Sequence, residues 1–379
     1  MFIKYLIYYY SMIVTPWEVS GEIDYDKLIK KFGTERIDKK LLDRIENIAG
    51  EVHPFLKRGL FFSHRDLKWI IDEYDKGNKF FLYTGRGPSG DTHLGHLISW
   101  ILTKWFQDKF GAKLYFQLTD DEKFLVKDNL TLEQTNKFAH ENALDVIALG
   151  FDPKKTTIII DTEYSKVLYK EALKVAKKIT FSTVKAIFGF TNESNIGKIF
   201  FASFQIVPCF LESIKQKKNV PCLIPCGIDQ DPYFRLARDV LPKLGYYKPA
   251  EIHSKFISGL GGGGKMSASI PSSTIFTTDS PNEVKTKINK TLTGGRETVE
   301  LQRKLGGETE KCVIYEYLYY LFENDDKLIE ERKKNCKSGK ILCGECKNYL
   351  TEKINKFLKD HQEKRLKAKL IVKEFMPDL

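Results

Sequence analysis

The sequence lacks the features of a membrane or exported protein. It has no stretch of about 20 apolar residues, which a transmembrane helix requires, so we expect no membrane span. Residues 1–11 are apolar, but they carry one early lysine and no A-x-A-like cleavage site follows them, which disfavours a signal peptide. We interpret this segment as an over-extended start or a disordered lead, with Met1 and Met12 as alternative first residues.

Cysteine is scarce, and its count of seven is odd, which argues against a disulfide framework and for reduced thiols in the cytosol. One group, Cys336-x6-Cys343-x2-Cys346, has spacing typical of a zinc site, with Cys312 or His361 as a possible fourth ligand. It contains a single CxxC pair, and we interpret it as coincidence. We therefore expect no structural zinc.

Neither internal repeats nor low-complexity tracts occur beyond one run of four glycines. With 379 residues, 42% of them hydrophobic and 26 of them phenylalanine, the chain is predicted to fold into two or three globular parts. The 61 basic and 50 acidic residues leave a net charge of +11, which fits a macromolecular anion as partner. An ordinary basic surface is an equal alternative from charge alone.

The most informative string is His93-Leu94-Gly95-His96. It follows a strand-like run at residues 80–83 and a glycine-rich loop, and it opens a helical pattern that continues to Phe106. Two imidazoles are thus predicted at a helix N-terminus, where free backbone N–H groups and the helix dipole favour an anion.

A second string, Lys265-Met266-Ser267-Ala268-Ser269, follows the glycines at residues 261–264. It offers an ammonium and two hydroxyls on a flexible loop, which suits negative charge that develops on a phosphate and is later released. The two strings together predict one phosphate-transfer reaction.

Two other nucleotide-binding motifs are nearly present. Residues 85–90 match G-x-G-x-x-G, but Pro88 lies inside the turn, and Asp108 falls in a helical pattern rather than after a second strand. Residues 259–265 nearly form a P-loop, but Met266 stands where a Ser or Thr must bind magnesium. A dehydrogenase and a P-loop ATPase are therefore disfavoured.

The hydrophobic pattern predicts an α/β protein. Strand-like runs at 80–83, 113–118, 157–160 and 222–225 alternate with longer helical segments, and Asp229 follows the last of them in a loop or a ligand site. We predict a mostly helical N-terminal extension over residues 1–78 and a core with a Rossmann-like parallel sheet over residues 79–270. A helical insertion in that core is expected at about 163–219, and a helical C-terminal region at 271–379. Helices are expected at 25–32, 37–49, 281–290, 310–322 and 351–373.

Beyond the two motifs, several strings carry a family resemblance: Trp17-Glu18-Val19 and residues 59–66, 83–89, 119–123, 226–234 and 373–376. Together they resemble the class I aminoacyl-tRNA synthetases, specifically the eukaryotic-type cytoplasmic tryptophanyl-tRNA synthetases, over all but residues 1–11. The resemblance implies activation of tryptophan with ATP and Mg²⁺, charging of tRNA(Trp), and a cytoplasmic homodimer without a structural metal or a membrane. The insertion would carry the dimer interface.

The resemblance also implies the site residues. The catalytic ones are His93, His96, Lys265, Ser267 and Ser269. Those for ATP are Arg86, Gly87, Gly95, Ile224 and Met266. Those for tryptophan are Tyr83, Gly85, Gln117, Thr119, Glu122, Lys123, Gln205, Cys226, Gln230 and Phe234.

Individual roles follow from the same resemblance. Tyr83 and Gln117 would meet the indole N–H, and Lys123 would lie near the carboxylate. The ammonium would be held by Glu122, Gln205 and Gln230. Ala268 replaces a second lysine that is commoner in the loop, and Arg86 would compensate for its charge.

Arg296 and Glu297 would contact the anticodon, although Glu297 replaces an expected aspartate. A row of basic residues, in contrast, more often forms a solvated helix face than a phosphate contact: Lys353, Lys356, Lys359, Lys364, Arg365, Lys367 and Lys369. The alternatives are a tyrosyl-tRNA synthetase and a catalytically silent relative that only binds tRNA.

Overall fold

The computed structural model describes residues 13–16, 19–21 and 23–376. The interpretations of residues 1–11 and of the first residue, and the resemblance at Trp17 and Glu18, therefore lie outside the described residues.

Nine strands in the described residues form a two-stranded hairpin and a seven-stranded sheet. They are β1 (Ile13–Val14), β2 (Val19–Ser20), β3 (Glu35–Arg36), β4 (Phe61–Arg65), β5 (Phe81–Arg86), β6 (Lys113–Leu118), β7 (Thr156–Ile160), β8 (Cys222–Gly227) and β9 (Ala250–Ser254).

The helices of the described part fall into three groups along the chain. The first is α1 (Tyr25–Phe32), α2 (Lys39–Ala49), α3 (Pro54–Lys57), α4 (Leu67–Asp75), α5 (Leu94–Phe110), α6 (Asp120–Val126) and α7 (Leu132–Ala148). The insertion adds α8 (Ser165–Ala176), α9 (Phe181–Phe188), α10 (Ile196–Phe204) and α11 (Leu211–Gln216). After α12 (Asp231–Val240) come α13 (Pro281–Asn289), α14 (Val299–Leu305), α15 (Val313–Tyr317), α16 (Asp326–Lys337) and α17 (Cys343–Phe375).

The large sheet has the strand order β3-β4-β9-β8-β5-β6-β7, and its five strands from β9 to β7 are parallel. This confirms the α/β, Rossmann-like class. Two antiparallel strands, β3 and β4, extend one edge and come from the segment predicted as a helical extension. The chain runs from β5 outward to β7 and returns to β8 on the other side of β5. Such a reversal opens a crevice at the carboxyl ends of the strands, where α/β proteins bind ligands.

The predicted strands agree closely with β5 to β8, whereas β9 was not predicted. Its five residues are all buried, but they include Glu251 and His253, which interrupt the apolar pattern. Helix α5 begins as expected, because the His93 side chain caps it, and it ends at Gly111, whose φ of 62° is left-handed.

The expectation that no segment is long and apolar enough to span a membrane was wrong. In the described part, Ile196–Gln216 passes that test by length and composition, and 67% of its apolar window is buried inside the protein. This run spans α10 and α11 and packs in the core of the insertion.

The C-terminal region is helical as predicted, but its boundaries differ. The helix predicted at 310–322 is divided into a 3-10 turn, α15 and a π-helical turn at Leu318–Phe322. Helix α17 begins eight residues before the predicted Thr351 and packs along α7, where His361 Nε2 lies 3.0 Å from Asp145 Oδ1. His361 is thus committed to α7 and is excluded as a ligand for the cysteine group.

Candidate active site

A cavity of about 340 Å³ lies at the crevice between the carboxyl ends of β5 and β8. Of the residues predicted for catalysis, ATP and tryptophan, all line this cavity except Gln117, which lies behind its wall. Sequence reasoning thus predicted most of the pocket.

The two histidine-motif imidazoles are held by the backbone of the helix that they begin. His93 Nδ1 accepts from the Gly95 N–H at 3.2 Å, and His96 Nδ1 accepts from the His93 N–H at 3.1 Å. Because each Nδ1 is an acceptor, each ring carries its proton on Nε2 if neutral. The ring centroids are 3.6 Å apart, so the two donors act on one small region.

Both imidazoles are neutral at physiological pH. Burial, followed by the positive charges of Arg86 and Lys265, lowers the pKa of His93 to about 3. Burial and the charge of Arg86 also lower the pKa of His96 well below its usual value. The pair therefore offers neutral Nε2–H donors to a phosphate rather than positive charge.

Gly95 is needed for this arrangement. A Cβ at this position would lie 3.0 Å from His93 Cε1 and 3.3 Å from Met266 Sδ. Met266 is 5% exposed, so the second motif packs directly against the first.

The chain around the two motifs is joined by backbone hydrogen bonds. Leu94 N donates to Ile275 O at 3.1 Å, and Thr277 N donates to Thr92 O at 2.9 Å. Residues 265–269 form the KMSAS loop. The segment that follows this loop is thus fixed to the start of α5, although the two are distant in sequence.

The glycine run before Lys265 closes a tight loop. Gly259 N donates to Gly264 O at 2.7 Å, while Gly262 and Gly263 have φ values of 74° and 69°. Ser267 is half-buried and Ser269 is exposed at the mouth of the cavity. A loop closed at its base but open at its tip can move when phosphates bind or leave.

Lys265 supplies the positive charge of this loop. Its Nζ lies 3.3 Å from Asp229 Oδ2 and 5.1 Å from the Phe256 ring centroid. The ion pair with Asp229 holds the ammonium in the pocket. The sequence left open whether Asp229 lies in a plain loop or in a ligand site, and this contact places it at the pocket. Phe256 was not predicted, because it follows the missed strand β9.

Arg86, predicted to compensate for the missing second lysine, lines the cavity and also contacts the glycine-rich loop. Its guanidinium donates to Thr92 Oγ1 at 2.7 Å and to the carbonyl oxygens of Gly90 and Asp91 at 3.1 and 2.9 Å. Burial lowers its pKa to about 10, so it remains charged. Its hydrogen bonds fix the glycine-rich loop, and its positive charge lowers the pKa of the two histidines.

The wall opposite the histidines is a chain of buried hydrogen bonds. Asp161 accepts from Gln117 Nε2 at 2.8 Å, and the Tyr83 hydroxyl donates to Gln117 Oε1. Gln205 Nε2 donates to the Tyr83 oxygen at 2.9 Å, and Phe234 packs edge-on against the Tyr83 ring at 5.8 Å. Since the Tyr83 proton is directed to Gln117, a lone pair of its oxygen can accept an N–H in the pocket. Gln205, predicted to hold an ammonium, contacts Tyr83 and lines the cavity.

Asp161 was missed by sequence reasoning. It comes directly after β7, at the carboxyl edge of the sheet, and that position was a usable signal. Burial raises its pKa well above the usual range, and Asp121 accepts a hydrogen bond from it, so its carboxyl group is neutral.

A charged pair forms another side of the cavity. Glu122 accepts from Thr119 Oγ1 at 2.9 Å, and its Oε2 lies 3.1 Å from Lys123 Nζ. A Cβ at Gly87 would lie 1.8 Å from Lys123 Cε, so a larger residue there would displace the end of this lysine side chain. The pair can hold the ammonium and carboxylate of an amino acid side by side.

One group of described residues brings three possible metal donors within 4.8 Å of one another, namely Cys226, Glu251 and His253. Both ring nitrogens of His253 are engaged, at 3.0 Å from Glu251 Oε2 and 3.1 Å from Ser63 Oγ. Burial lowers the pKa of His253 to about 4 and raises that of Glu251 to about 8. His253 and Glu251 thus form a buried hydrogen-bonded network, and Cys226 lines the pocket next to it.

The two residues predicted for the anticodon do not line the cavity and belong to the C-terminal region. Arg296 Nη1 lies 2.7 Å from Glu308 Oε1, and its Nε donates to Gly306 O at 2.9 Å. Glu297 is exposed beside it. Arg296 is exposed as well, but its guanidinium already holds the loop together.

Comparisons with known proteins agree on one family. The family described as tRNA synthetases class I (W and Y) matches residues 75–359. The tryptophan–tRNA ligase of Pyrobaculum aerophilum is 53% identical over 96% of this chain and 97% of its own, and that of Pyrococcus horikoshii is 53% identical over 96% and 93%.

Solved structures give the same result. The tryptophanyl-tRNA synthetase of Plasmodium falciparum is similar with a TM-score of 0.88 and 42% identity, covering 94% of this chain and 98% of that one. That of Encephalitozoon cuniculi, bound to tryptophan, has a TM-score of 0.86 and 38% identity over 95% and 99%.

Proposed function

The chain belongs to the class I tRNA synthetases for tryptophan and tyrosine, and we propose that the pocket described above activates L-tryptophan with ATP. The activity is that of a tryptophan–tRNA ligase. In the first step a carboxylate oxygen of tryptophan attacks the α-phosphorus of ATP, giving tryptophanyl-adenylate and pyrophosphate. In the second, a 3′-terminal hydroxyl of tRNA(Trp) attacks the carbonyl carbon and AMP leaves.

Catalysis of the first step rests on positioning and charge stabilisation, since no side chain needs to become a nucleophile. The Nε2–H groups of His93 and His96 donate to the phosphates. Lys265 exchanges its contact with Asp229 for the pyrophosphate as negative charge develops there. Ser267 and Ser269 add donors when the loop closes.

The observation that carries the choice of tryptophan is the chain from Asp161 through Gln117 to Tyr83. It leaves a buried acceptor where an indole N–H would lie, next to the apolar face of Phe234. The Tyr83 oxygen already accepts from Gln205 Nε2, so an amino acid without that N–H forgoes only a second hydrogen bond to it, which is worth about 0.5–1.5 kcal/mol.

We propose that Mg²⁺ enters as part of the ATP substrate. Mg²⁺ prefers oxygen ligands and commonly uses phosphates and only one or two carboxylates. In the described residues, the three donors within 4.8 Å of one another include a thiol and an imidazole, a set that does not suit this ion. Asp229 is the carboxylate that faces the phosphate side.

A homodimer through the insertion is the second part of the proposal. The helices of the insertion expose several large apolar side chains, at 52%, 46%, 41% and 84%: Tyr169, Leu173, Phe181 and Ile196. Contact with a second copy would cover them. We also propose a cytoplasmic, membrane-free protein, because all seven cysteines are unpaired and the apolar run of the insertion is largely buried.

Exchange of labelled pyrophosphate into ATP, measured with each of the twenty amino acids, tests the first step. We expect exchange with tryptophan alone. Exchange with tyrosine and not tryptophan would indicate the tyrosyl enzyme, and none with either would indicate a silent tRNA-binding relative. Charging of tRNA(Trp) tests the second step.

A further inference from the structure

The segment between β9 and the KMSAS loop determines where the backbone of Lys265 lies. Ser258 pairs with Lys265 in an isolated antiparallel bridge. Next to this bridge, Gly259 N donates to Gly264 O at 2.7 Å and closes the glycine loop. The position of Ser258 therefore sets the point from which the Lys265 side chain reaches into the cavity.

The backbone of Ser258 is bound by two consecutive side chains of α15, in the C-terminal region. The Ser258 N–H donates to Glu316 Oε1 at 3.3 Å, and the Tyr317 hydroxyl donates to Ser258 O at 2.9 Å. The bridge to Lys265 uses backbone groups of the flanking residues, which leaves those of Ser258 for α15. One helix thus holds the base of the loop by both a donor and an acceptor.

Glu316 is a buried carboxyl group that the reaction described above does not use. Burial raises its pKa, whereas its hydrogen bonds to the side chain and the backbone of Ser258 lower it. Tyr317 beside it is 0% exposed. A carboxyl group is costly to bury unless hydrogen bonds satisfy it, so an apolar residue would serve better if Glu316 only filled space. The contact with Ser258 gives this carboxyl group a purpose.

A further contact holds the same strand of the loop two residues later. Leu260 O accepts from Leu292 N at 2.9 Å, and Leu260 N donates to Ser273 O at 2.8 Å. A Cβ at Gly262 would lie 2.5 Å from Leu292 Cδ2, so this leucine side chain packs against the glycine run. The loop is therefore fixed at residues 258 and 260, and movement is left to its tip.

We propose that Glu316 and Tyr317 are positioning residues that hold Ser258 so that the ammonium of Lys265 meets the leaving pyrophosphate. Neither residue lines the cavity, so both act through the backbone of the loop. Asp229 orients the end of the lysine side chain, whereas α15 fixes its base. A displacement of about 1 Å can cost about 100-fold in rate, so the support of the base matters. This role rests on the proposed function.

Single-turnover formation of tryptophanyl-adenylate by the full chain tests the role. Glu316→Ala should lower the rate about tenfold and leave tryptophan affinity within about twofold, because the tryptophan side of the pocket is untouched. Glu316→Gln keeps an acceptor for the Ser258 N–H and should restore the rate to within about threefold of the wild type.

Tyr317→Phe removes the donor to Ser258 O and should lower the rate about fivefold. Its matched control is Tyr315→Phe on the same helix. The Tyr315 hydroxyl is buried and has no hydrogen-bond partner in the described part of the chain, so its loss should leave the rate unchanged.

A double-mutant cycle separates positioning of Lys265 from general stabilisation. If Glu316 acts through the ammonium, Glu316→Ala should slow Lys265→Ala no further. Slowing by the same factor in both backgrounds would overturn the proposal, as would a wild-type rate in both Glu316→Ala and Tyr317→Phe. Tyr317→Phe loses a single oxygen atom and carries the same cycle if Glu316→Ala does not fold.

Limited proteolysis gives a readout that does not depend on activity. Trypsin cleaves after lysine, so cleavage between residues 265 and 266 reports how often the base of the loop opens. Without substrates, Glu316→Ala and Tyr317→Phe should speed cleavage at this bond about fivefold, with other sites cut as in the wild type. Wild-type cleavage at this bond in both variants would overturn the proposal. A wild type without pyrophosphate exchange would instead overturn the proposed function, so the two failures give different results.

Discussion

The pocket has two halves with different support. The half proposed to bind phosphate, here called the phosphate half (His93, His96 and residues 261–269), is held mainly by backbone. The half proposed to bind tryptophan, here called the tryptophan half, is held by buried side chains: Tyr83, Gln117, Asp161, Gln205 and Phe234. Backbone N–H groups orient the two histidines, and Lys265 stays on an open loop. In the tryptophan half, each polar group is fixed by another polar group.

The difference follows from what each half has to do. Charge appears and leaves on the phosphates during the reaction, so donors must meet it and then release it. Recognition of the indole does not change during the reaction, so its acceptor is best fixed beforehand in a buried network. Variants in the two halves should therefore affect different kinetic constants.

Lys265→Ala should give the largest effect. The free-energy barrier to adenylate formation should rise by about 2–4 kcal/mol, because the ammonium acts on charge that develops at the leaving pyrophosphate. Tryptophan affinity should change little. Single-turnover formation of adenylate measures the rate, and Lys285→Ala, an exposed lysine on α13, is the matched control. An unchanged rate would remove Lys265 from the reaction.

Asp161→Ala should mainly impair tryptophan binding, with KM rising about 10- to 100-fold. The substitution leaves the buried Gln117 amide unpaired, which costs about 1–3 kcal/mol and frees the amide to turn. Because the raised pKa keeps Asp161 neutral, Asp161→Asn should restore KM to near the wild-type value. The measurement is exchange at varied tryptophan. Equal damage by both variants would show that Asp161 acts as a charge.

Local sequence predicted the phosphate half well, since its motif combines a strand, a loop and a helix cap within a few residues. The helix begins at the histidine motif as predicted, and the loop of residues 265–269 lines the same cavity. Matching to a family added Tyr83 and Gln117. Their physical role became visible only through Asp161, which contacts Gln117 across the pairing of β6 with β7.

What sequence reasoning missed depends on contacts between distant segments. The buried Glu251 and His253 concealed β9 because they pair with each other, which no periodicity shows. The cysteines seemed scattered because Cys312 reaches the other three only after α15, α16 and α17 have packed. The contacts of Arg86 with its three loop acceptors also follow only from the folded turn.

Arg296→Ala tests a third region, the loop of the C-terminal region, whose role should differ from those of both halves of the pocket. Pyrophosphate exchange should remain normal, and charging of tRNA(Trp) should fall about fivefold, near 1 kcal/mol. If Arg296 reads a base, discrimination among anticodon variants decreases; if it contacts a phosphate, all tRNAs weaken alike and the salt dependence becomes shallower.

Glu308→Gln is the control, because it weakens the ion pair of Arg296 without removing the guanidinium. Charging that falls equally in both variants would indicate that Arg296 only maintains the loop. Unaltered charging by Arg296→Ala would remove Arg296 from the tRNA site.

The smallest effect is expected when the pH is varied. This experiment tests whether the histidines of the phosphate half act on phosphates as neutral N–H donors or as positive charges. The pKa of His93 is lowered to about 3, so its imidazole is neutral at pH 6 and stays neutral as the pH rises to 8. Glutamine offers a similar neutral N–H donor that does not titrate. The ratio of exchange rates between the wild type and His93→Gln should therefore stay within about twofold, or 0.4 kcal/mol, from pH 6 to 8. If His93 acted as an imidazolium with an ordinary pKa of about 6.5, the wild type alone would lose about tenfold per pH unit above that value. A ratio that falls steadily with rising pH would show that charge, rather than a neutral donor fixed by the backbone, acts on the phosphates.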